Sequence, residues 1–368
     1  MVIFVRHNFC FMKLRWYLAP LSWLYGFGVY IRNCFFDWGW KKTRTFKTAV
    51  ISVGNITVGG TGKTPHVEYL LSLLQQQFQV AMVSRGYRRQ SKGLQVADAN
   101  STSLQLGDEP YQIYRKYPQT VVIADANRCR AIDYIASHHP AVDAVVLDDA
   151  FQHRYVSPGM SILLVDYHRL ITKDALLPCG NLRESAMARY RASVIVVTKC
   201  PSDIKPIELR TLYKELSPRP YQRIYYTYYQ YGPLRAVFGE HTQALSANMA
   251  VLLVAGIAQP QPLQDYLSEQ VASVDAVLFS DHHYFTQSDW LSIQRQFEAK
   301  VAANKYIVVT EKDAARLLSN DCVPVALQPY IFALPIEVQF MQDKAKEFNQ
   351  LVIDYVSKNK RNSSLPNR

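Results

Sequence analysis

A glycine-rich turn between an apolar run and an amphipathic stretch constrains this chain more than any other feature. The run TAVISVG (Thr48–Gly54) is rich in β-branched residues and predicts a strand, and VEYLLSLLQQQF (67–78) has the apolar spacing of a helix. The turn between them reads NITVGGTGKTP. A glycine-rich turn that leads from a strand into a helix is the context of a phosphate-binding P-loop. We therefore expect this part of the chain to bind a nucleotide.

The residue types of the turn suit phosphate binding. Gly59, Gly60 and Gly62 allow the backbone to curl so that its N–H groups point at phosphate oxygens, and the start of the helix adds a partial positive charge. Lys63 is placed to reach the terminal phosphates, and the Thr64 hydroxyl to bind magnesium. The predicted nucleotide-binding residues are Thr57, Val58, Gly59, Gly60, Thr61, Gly62, Lys63 and Thr64. The strict pattern has a glycine at the first of these positions, where this chain has threonine.

Five further apolar runs end in polar residues, as the strands of a parallel sheet do. They are Val80–Ser84, Val121–Asp125, Ala144–Asp149, Ser161–Asp166 and Val194–Lys199. Helical stretches separate most of them, which predicts an α/β fold with a doubly wound parallel sheet that binds its ligands at the carboxyl ends of the strands. A second, smaller α/β unit is predicted from the later runs Val251–Gly256, Val274–Ser280 and Tyr306–Asp313.

The length of 368 residues suggests two domains. The tyrosine-rich stretch YQRIYYTYYQY from Tyr221 marks the change between them and predicts a linker or an edge strand. We expect a P-loop domain at residues 43–220, a linker at 221–232 and a smaller α/β domain at 233–356. Residues 357–368 lack apolar periodicity and predict a frayed tail.

The first 42 residues predict a membrane-associated segment. Trp16–Ile31 reads WYLAPLSWLYGFGVYI, has no formal charge and is 16 residues long, whereas a spanning helix needs about 20 apolar residues. Its proline and two glycines weaken a single straight helix. The density of Trp and Tyr favours a segment that lies in one leaflet between basic flanks, and a helix packed against the domain is the alternative. Either Met1 or Met12 serves as the start.

The formal net charge of +11 favours an anionic partner, such as nucleic acid, anionic lipid headgroups or a phosphorylated substrate. The basic residues are scattered, and no run is long enough for a nucleic-acid arm. No zinc-ligand spacing occurs. The 6 cysteines are far apart and form no CxxC pair, which suits a reducing compartment.

Two acidic pairs are candidates for metal binding and proton transfer. LDDAFQH ends a predicted strand with Asp148 and Asp149, one of which can face magnesium as a Walker-B-type aspartate does. Adjacent acids also form turns and helix caps. GDEP carries Asp108 and Glu109 before a predicted helix, where an N-cap followed by a first-turn acid explains the pattern equally well.

Histidines and arginines add to the candidates. SDHHYFT (Ser280–Thr286) places an acid and two histidines just after a predicted strand, which indicates a proton-transfer site, a metal site or a structural turn. SRGY, NRCR and CGNLRES each place arginine in a predicted loop. Because a guanidinium binds two phosphate oxygens at once, three such loops indicate an anionic substrate.

Seven motifs occur in order across nearly the whole chain: GNITVGGTGKTP, SRGY, GDEP, LDDAFQH, LPCGNLRE, SDHHYFT and VVTEKDA. Together they resemble the tetraacyldisaccharide 4'-kinase family of lipid A biosynthesis, and the aromatic amino-terminal segment resembles the membrane-binding helix of that family. The resemblance implies a RecA-like P-loop domain with a smaller carboxyl-terminal domain. It implies transfer of the ATP γ-phosphate to the 4'-hydroxyl of a tetraacylated glucosamine disaccharide 1-phosphate, which yields lipid IVA. It also implies Mg²⁺, a place at the cytoplasmic face of a bacterial inner membrane, and neither a nucleic acid nor an obligate protein partner.

The matching motifs imply a role for each candidate residue. Asp108 would accept the proton of the 4'-hydroxyl with support from His282, and His283 is the alternative to His282. The implied catalytic neighbours are Lys63, Asp148 and Asp149, and the implied magnesium ligands are Thr64, Glu109 and Asp149. The implied substrate-binding residues are Tyr87, Arg128, His153 and Arg183.

Two positions depart from the family pattern. Ala150 replaces a glycine after the acidic pair, and CGN precedes Leu182 where a glycine-proline type of turn is expected. Ala150 leaves the local backbone angle open.

Other P-loop proteins are alternatives to this reading. A P-loop kinase or NTPase that acts on a soluble metabolite is the first. A membrane-associated GTPase-like switch would need Asn-Lys-x-Asp after a strand, where this chain reads TKCP (Thr198–Pro201). A nucleic-acid motor would need basic or aromatic binding tracts, which the sequence does not carry.

Overall fold

The computed structural model describes residues 16–319 and 322–364, which fold into two compact units. Unit 1 comprises residues 16–85, 125–228 and 338–364, and unit 2 comprises residues 86–124 and 229–337 without 320 and 321. The two candidate start residues, Met1 and Met12, lie outside the described residues.

The regular elements follow one another in α/β order. The strands are β1 (Ala49–Gly54), β2 (Val80–Ser84), β3 (Gln95–Val96), β4 (Val121–Ala124), β5 (Ala144–Asp148), β6 (Met160–Asp166), β7 (Val194–Thr198), β8 (Arg223–Tyr231), β9 (Leu234–Ala236), β10 (Thr242–Gln243), β11 (Ala250–Ala255), β12 (Ser273–Leu278), β13 (Lys305–Thr310), β14 (Ile331–Leu334) and β15 (Ile336–Phe340). The α-helices are α1 (Ala19–Asp37), α2 (Lys63–Leu74), α3 (Ser103–Leu106), α4 (Asp108–Lys116), α5 (Arg128–His138), α6 (Pro206–Leu216), α7 (Gln261–Gln270), α8 (Gln287–Ala299), α9 (Glu311–Leu318) and α10 (Ala345–Ser364). Two short 3₁₀ helices lie at Ala186–Arg191 and Gln328–Tyr330.

The strands of unit 1 run in the order β15-β8-β7-β6-β1-β5-β2. The pairs from β8 to β2 are parallel, as the predicted doubly wound sheet requires. The apolar runs of β1, β5 and β7 are buried along their whole length, which is typical of strands covered on both faces. The central strand β1 leads directly into the glycine-rich turn, so the sheet places this turn at its carboxyl edge.

Unit 2 contains a sheet in the order β10-β9-β14-β13-β11-β12, with an antiparallel β3–β4 pair besides. Strands β11 to β14 are parallel, and β9 joins β14 antiparallel. Alternate residues of a strand face opposite sides of its sheet. Val251 and Leu253 accordingly share a core with α7, and Leu252 and Val254 share another with α8. The predicted α/β fold class with a second, smaller α/β unit is confirmed.

The two units divide the chain differently from the predicted domains. Residues 86–124 belong to unit 2, and residues 338–364 return to unit 1. The predicted linker 221–232 is largely β8, which pairs with β7. The sequence analysis did not predict that these two stretches belong to the other unit. Each stretch has the pattern of ordinary α/β sequence, and its place in a unit depends on contacts with residues distant in the chain.

Helix α10 continues to Ser364, into the stretch 357–368 that was predicted as a frayed tail. Phe348, Val352 and Val356 are buried at helical spacing, and the Tyr355 hydroxyl lies 3.1 Å from both the amide nitrogen and the carbonyl oxygen of Val50 in β1. Beyond this apolar stripe, Lys360 pairs with Asp143 at 2.9 Å. These contacts anchor α10 to unit 1 as far as Lys360.

The amino-terminal segment forms one continuous helix, α1, although its proline and glycines predicted a weak one. Pro20 lies in the first turn, where its missing N–H breaks no helical hydrogen bond. Ser22 donates its hydroxyl to the Leu176 carbonyl at 3.0 Å, and Arg32 donates to the Gln152 carbonyl at 2.7 Å. These contacts fasten one side of the helix to unit 1. Among the described helices, none is both long and apolar enough to cross a membrane.

Candidate active site

The glycine-rich turn has the backbone of an anion-binding loop. Gly62 precedes α2 with φ +83°, and Gly59 has φ +102°. Side chains other than glycine are strained at such angles. Gly60 has an ordinary backbone, but a Cβ there would meet nothing within 4 Å, so the surface beside it is open to a phosphate. Lys63 and Thr64 are the first two residues of α2.

Thr57 shows why the missing glycine of the strict pattern is tolerated. Its side chain is buried, and its backbone forms an antiparallel bridge with Leu182. Asn55 donates to the Thr61 hydroxyl at 2.7 Å and fastens the start of the turn to its tip. Thr57 is therefore part of the extended support of the loop.

Two cations that the sequence reading missed hold the carbonyl side of the loop. Lys199 donates to the Gly60 carbonyl and to Asp166 Oδ2, the latter at 2.8 Å. Arg169 donates to the Val58 carbonyl at 2.5 Å. A peptide whose C=O is held on one side presents its N–H on the other. The signal was available, since Asp166 ends β6 and Lys199 follows β7 in TKCP.

Asp149 meets two cations in unit 1. Its carboxylate lies 3.4 Å from Lys63 Nζ and 3.2 Å from Arg183 Nη1. Burial opposes ionisation, but Lys63 and Arg183 outweigh it and lower the pKa of Asp149. Asp149 itself takes the left-handed conformation, with φ +46°, and Ala150 does not. The left-handed residue is therefore Asp149, and aspartate tolerates this conformation. Ala150 can replace the family's glycine because its own position does not need a positive φ.

Asp148 points elsewhere than Asp149. It is 5 % exposed, and its Oδ2 accepts from the Ser84 hydroxyl at 3.3 Å. Adjacent residues at a strand end face opposite ways, so the two acids have different surroundings. The other departure from the family pattern, CGN, forms a closed turn in which Asp174 accepts from the Asn181 backbone at 3.0 Å.

Arg128 was predicted to bind substrate, but the structure buries it. Its side chain belongs to a residue only 2 % exposed, and its Nη atoms donate to the carbonyls of Asp125, Ala126 and Asp148 at 3.1–3.4 Å. These contacts support the backbone behind the acidic pair. His153 is half-buried nearby, and burial and Arg128 lower its pKa to about 4.

His66 is a buried histidine at the start of α2. Its Nδ1 lies 2.8 Å from the Gly62 carbonyl oxygen, and its Nε2 lies 3.1 Å from the Thr227 hydroxyl. Burial lowers its pKa from 6.5 to about 4, although the bond to Gly62 opposes the change. The native protein thus holds His66 neutral near pH 7, and its ring supports the P-loop through Gly62.

We expect acid to destabilise the protein through His66. The unfolded chain takes up the proton near pH 6.5, whereas the native state does so only near pH 4. The free energy of unfolding is therefore unaffected above pH 6.5 and falls by about 3 kcal/mol as the pH drops to 4. Urea unfolding at pH 7.5 and pH 4.5 measures this, with His66→Gln as the control that removes the titrating group. Identical pH dependence in the two proteins would contradict the assignment.

In unit 2, two glycines place GDEP and SRGY against each other. Gly107 precedes α4 with φ +95°, and a Cβ there would lie 3.0 Å from Gly86 Cα and 3.2 Å from the Tyr87 carbonyl oxygen. The close approach brings Asp108, the first residue of α4, next to the segment that carries Tyr87. The N-cap explanation of GDEP is only partly right, since Asp108 lies inside the first turn and Gly107 precedes it.

Asp108 contacts both His282 and a buried arginine. Its Oδ2 lies 2.8 Å from His282 Nδ1, 2.9 Å from Arg316 Nε and 2.8 Å from Arg316 Nη2. Burial opposes ionisation of the carboxyl group, but His282, Arg316 and Lys312 prevail and lower its pKa to about 2. Asp108 is therefore an ionised, oriented carboxylate. His282 has φ +63°, an uncommon conformation that histidine adopts more readily than most residues.

The structure distinguishes the two histidines of SDHHYFT. His283 turns away from Asp108, and its Nε2 lies 2.9 Å from Asp289 Oδ2 in the first turn of α8. Asp289 also accepts from the Thr286 backbone at 2.8 Å, so His283 supports a helix cap. His282 is the histidine that meets Asp108.

Other predicted residues of unit 2 surround His282. The exposed ring of Tyr87 lies 5.4 Å from the His282 ring, between centroids. Lys312 Nζ lies 3.2 Å from His282 Nε2 and 3.2 Å from Glu109 Oε1. Lys312 and Arg316 were missed, although Lys312 lies within the motif VVTEKDA (308–314) and Arg316 follows that motif by two residues.

Magnesium does not need a cage made only of protein. Among residues 16–319 and 322–364, no group of three or more His, Cys, Asp or Glu side chains converges as a metal site. Mg²⁺ is usually bound by one or two carboxylates together with substrate phosphates and water. Asp149 is partly exposed beside Lys63 and adjoins the P-loop. This position fits a Mg²⁺ site that one carboxylate shares with phosphates and water.

Comparisons with known proteins identify the family of the chain. The family model for tetraacyldisaccharide-1-P 4'-kinase matches residues 14–356. The tetraacyldisaccharide 4'-kinase of Bacteroides thetaiotaomicron is 45% identical over 370 residues, with 97% of each chain covered. That of Phocaeicola vulgatus is 46% identical over 360 residues, with 96% of this chain and 98% of the relative covered.

A solved structure is similar over most of the chain. It is LpxK from Aquifex aeolicus in complex with ATP, with a TM-score of 0.73 and 26% sequence identity over 93% of this chain and 99% of that one. The likeness in fold and the extent of the sequence matches lead to one assignment. This chain belongs to the tetraacyldisaccharide-1-P 4'-kinase family.

Proposed function

We propose that Asp108 accepts the proton of the sugar 4'-hydroxyl while that oxygen takes the γ-phosphate of ATP. As a member of its family, the chain is an ATP-dependent 4'-kinase of lipid A biosynthesis, and a soluble metabolite as substrate is not favoured. The observation that carries the proposal is the contact of an ionised Asp108 with His282 at 2.8 Å. The acceptor is a tetraacylated glucosamine disaccharide 1-phosphate.

A weakly basic carboxylate suits this chemistry. Phosphoryl transfer passes through a loose transition state, so positioning and charge stabilisation matter more than the strength of the base. Asp108 is oriented at the start of α4 and contacts His282 Nδ1. His282 supports Asp108 by donating to Oδ2 and stabilises the carboxylate in its ionised form.

The P-loop holds the phosphates of ATP. The backbone N–H groups of the turn and the start of α2 cradle them, and Lys63 balances the charge on the terminal phosphate. Thr64 and Asp149 are the residues of unit 1 that would hold Mg²⁺, which would neutralise phosphate charge when bound, and a part for Glu109 stays a prediction. Asp148 supports this neighbourhood through Ser84.

The phosphosugar is assigned to residues of the predicted set that are at least partly exposed. Arg183 keeps a partly exposed guanidinium beside Asp149, and Tyr87 offers an exposed ring beside His282. His153 is the third member. The fourth residue of the predicted set is Arg128; its Nη atoms donate to the carbonyls of Asp125 and Asp148, and its contact with substrate stays a prediction.

We propose that α1 binds the cytoplasmic face of the inner membrane. Trp23, Leu24 and Phe27 are 81%, 69% and 61% exposed, on a helix whose other side is held by Ser22 and Arg32. Aromatic rings favour the headgroup boundary. Because the other side of α1 is fixed to the folded domain, these side chains can enter lipid while the domain stays folded.

The triple variant Trp23→Ser, Leu24→Ser and Phe27→Ser is expected to lose membrane binding. Each large apolar side chain contributes about 1.5–3 kcal/mol on full burial, so the partition coefficient should fall by about 100-fold or more. Sedimentation with vesicles of mixed neutral and anionic lipid measures it. High salt should leave most of the wild-type protein bound, since each basic residue contributes only about 1 kcal/mol at an anionic surface.

A matched control replaces three exposed apolar side chains elsewhere. Ile207, Tyr213 and Leu291 are 64%, 51% and 52% exposed, and serine at these positions should leave vesicle binding unchanged. Equal binding by the α1 variant and the wild type would rule out α1 as the membrane-binding element.

The proposed reaction is tested with labelled ATP and the tetraacyl disaccharide 1-phosphate in detergent. The expected product carries the label at the 4' position of the distal glucosamine, as determined by mass spectrometry of the separated sugars. Label at any other position, or transfer only to water, would refute the proposed reaction.

A further inference from the structure

Arg316 is a buried arginine that joins Asp108 to the interior of unit 2. It lies in α9 and is 4 % exposed. On one edge of its guanidinium, Nε donates to Asp108 Oδ2 at 2.9 Å, and Nη2 lies 2.8 Å from the same oxygen. Its Nη1 donates to Asp313 Oδ1 at 2.6 Å and to the Gly256 carbonyl at 3.0 Å. The guanidinium is therefore held at both ends.

The far end of this contact is itself rigid. Asp313 is fully buried, and its Oδ2 accepts from the Gly256 amide at 3.0 Å and from the Thr310 hydroxyl at 2.7 Å. Thr310 in turn caps α9 by accepting from the Asp313 backbone at 3.1 Å. The end of β11 and the first turn of α9 thus fix the Arg316 side chain independently of Asp108.

All the contacts of Asp108 within the described residues converge on one oxygen. His282 Nδ1 and two nitrogens of Arg316 lie within hydrogen-bond distance of Oδ2. His282 Nε2 faces Lys312 at 3.2 Å, so the ring is held from its other side as well. With Oδ2 occupied, Oδ1 is the oxygen that remains to receive a hydroxyl proton.

We propose that Arg316 is a positioning residue for phosphoryl transfer, which fixes the Asp108 carboxylate so that Oδ1 faces the attacking hydroxyl. The inference rests on the proposed role of Asp108 as proton acceptor. A group held in the reactive geometry reacts without first paying for its orientation, and a displacement of 1 Å costs about 100-fold in rate. Lysine cannot replace the fork, because one ammonium lacks the fixed planar spread of donors that reaches Asp108 and Asp313 together.

The alternative is that Arg316 is only a structural residue, which holds the first turn of α9 against the end of β11 through Asp313 and Gly256. The two readings differ in what happens when Asp108 is absent. A purely structural arginine is needed in every background, whereas a positioning residue has nothing to position once the carboxylate is gone. A double-mutant cycle separates these cases.

The cycle compares wild type, Arg316→Lys, Asp108→Asn and the double variant, all as full-length protein in detergent with the lipid acceptor. Arg316→Lys is expected to lower kcat by about 10- to 100-fold, with the KM for ATP within about threefold of the wild type. In the Asp108→Asn background, the same change should alter the residual kcat by less than about threefold. Equal losses in both backgrounds, or a wild-type kcat in Arg316→Lys, would overturn the inference.

Two further proteins guard against an effect of misfolding. Arg189→Lys is a matched control, since Arg189 is 8 % exposed and donates to the carbonyls of Leu216 and Ala186; it should keep kcat within about twofold. If Arg316→Lys melts below the assay temperature, Asp313→Asn replaces it in the cycle, because it loosens the anchor and keeps its size. Its expected loss of kcat is about 3- to 10-fold, again only where Asp108 is present, and a loss in both backgrounds overturns the inference.

The kcat of Asp108→Asn alone distinguishes a failure of the Arg316 role from a failure of the Asp108 role. A strongly reduced kcat in this variant, together with equal effects of Arg316→Lys in both backgrounds, defeats the role of Arg316 and leaves that of Asp108. A wild-type kcat in Asp108→Asn defeats both.

Discussion

Lys63→Ala is expected to lower kcat by at least about 100- to 1000-fold, the usual loss when one group that stabilises transition-state charge is removed. Lys63 is the only P-loop side chain with a formal charge, and it lies at the start of α2 beside Asp149. Removing it leaves the terminal phosphate without its cation and leaves Asp149 with Arg183 as its remaining charged partner among those described here. Phosphate transfer to the lipid acceptor at saturating ATP measures the effect.

Lys173→Ala is the matched control for this variant. Lys173 is a surface residue of unit 1 that pairs with Glu215 at 2.9 Å, so its loss should leave kcat within about twofold. A Lys63→Ala protein that kept near-wild-type kcat would show that the glycine-rich turn does not hold the transferred phosphate.

Asp108→Asn is expected to lower kcat by about 10²- to 10⁴-fold, the contribution typical of a positioned acid–base group. The amide keeps the size of the side chain and can still accept from Arg316, but it cannot take up a proton. ATP affinity, measured by equilibrium binding, should stay within about threefold. A loss confined to ATP or Mg²⁺ affinity would instead make Asp108 a nucleotide or metal ligand.

Three further variants are compared with Asp108→Asn. His282→Ala should lower kcat less than Asp108→Asn, because the acceptor remains and loses one support. His283→Ala should leave kcat nearly unchanged, since His283 caps α8 through Asp289. Asp265→Asn controls for the substitution itself, because the Asp265 carboxylate accepts a local bond from Gln261 at 2.7 Å within α7.

The parts of the fold that local sequence determines could be predicted. Buried parallel strands read as apolar runs that end in polar residues, and β1, β2, β5 and β7 match their predicted positions within about one residue. The P-loop is equally local, because its glycines, lysine and threonine act within one turn. GGTGKT therefore indicated nucleotide binding without any tertiary information.

The division into units could not be read in this way. Residues 86–124 lie in sequence between two strands of unit 1, and yet they belong to unit 2. The tyrosines of β8 suggested a linker because aromatic density is ambiguous between an exposed segment and a strand. Tyr225 and Tyr226 are in fact buried, with Tyr225 packed on Phe348 of α10, a partner far along the chain.

The sequence predicted which residues belong to the candidate site, but not how they are arranged in space. Motif order gave Asp108 and left His282 and His283 open, since neighbouring residues are equivalent in a pattern. Arg316 was missed because nothing local distinguishes a buried arginine in a helix from a surface one. The surroundings of Arg128 were hidden for the same reason: in sequence it is one more loop arginine, and only the structure shows that it is buried and contacts backbone carbonyls.

The central claim is that Asp108 acts in the transfer step itself, and a single-turnover measurement tests it most directly. Enzyme in excess over the lipid acceptor is mixed with saturating labelled ATP and Mg²⁺, and the first turnover is followed by rapid quench for wild type and Asp108→Asn. The account predicts a transfer rate about 10²- to 10⁴-fold lower in the variant, with unchanged ATP binding. A single-turnover rate equal to that of the wild type, with any defect confined to ATP binding or product release, would contradict it.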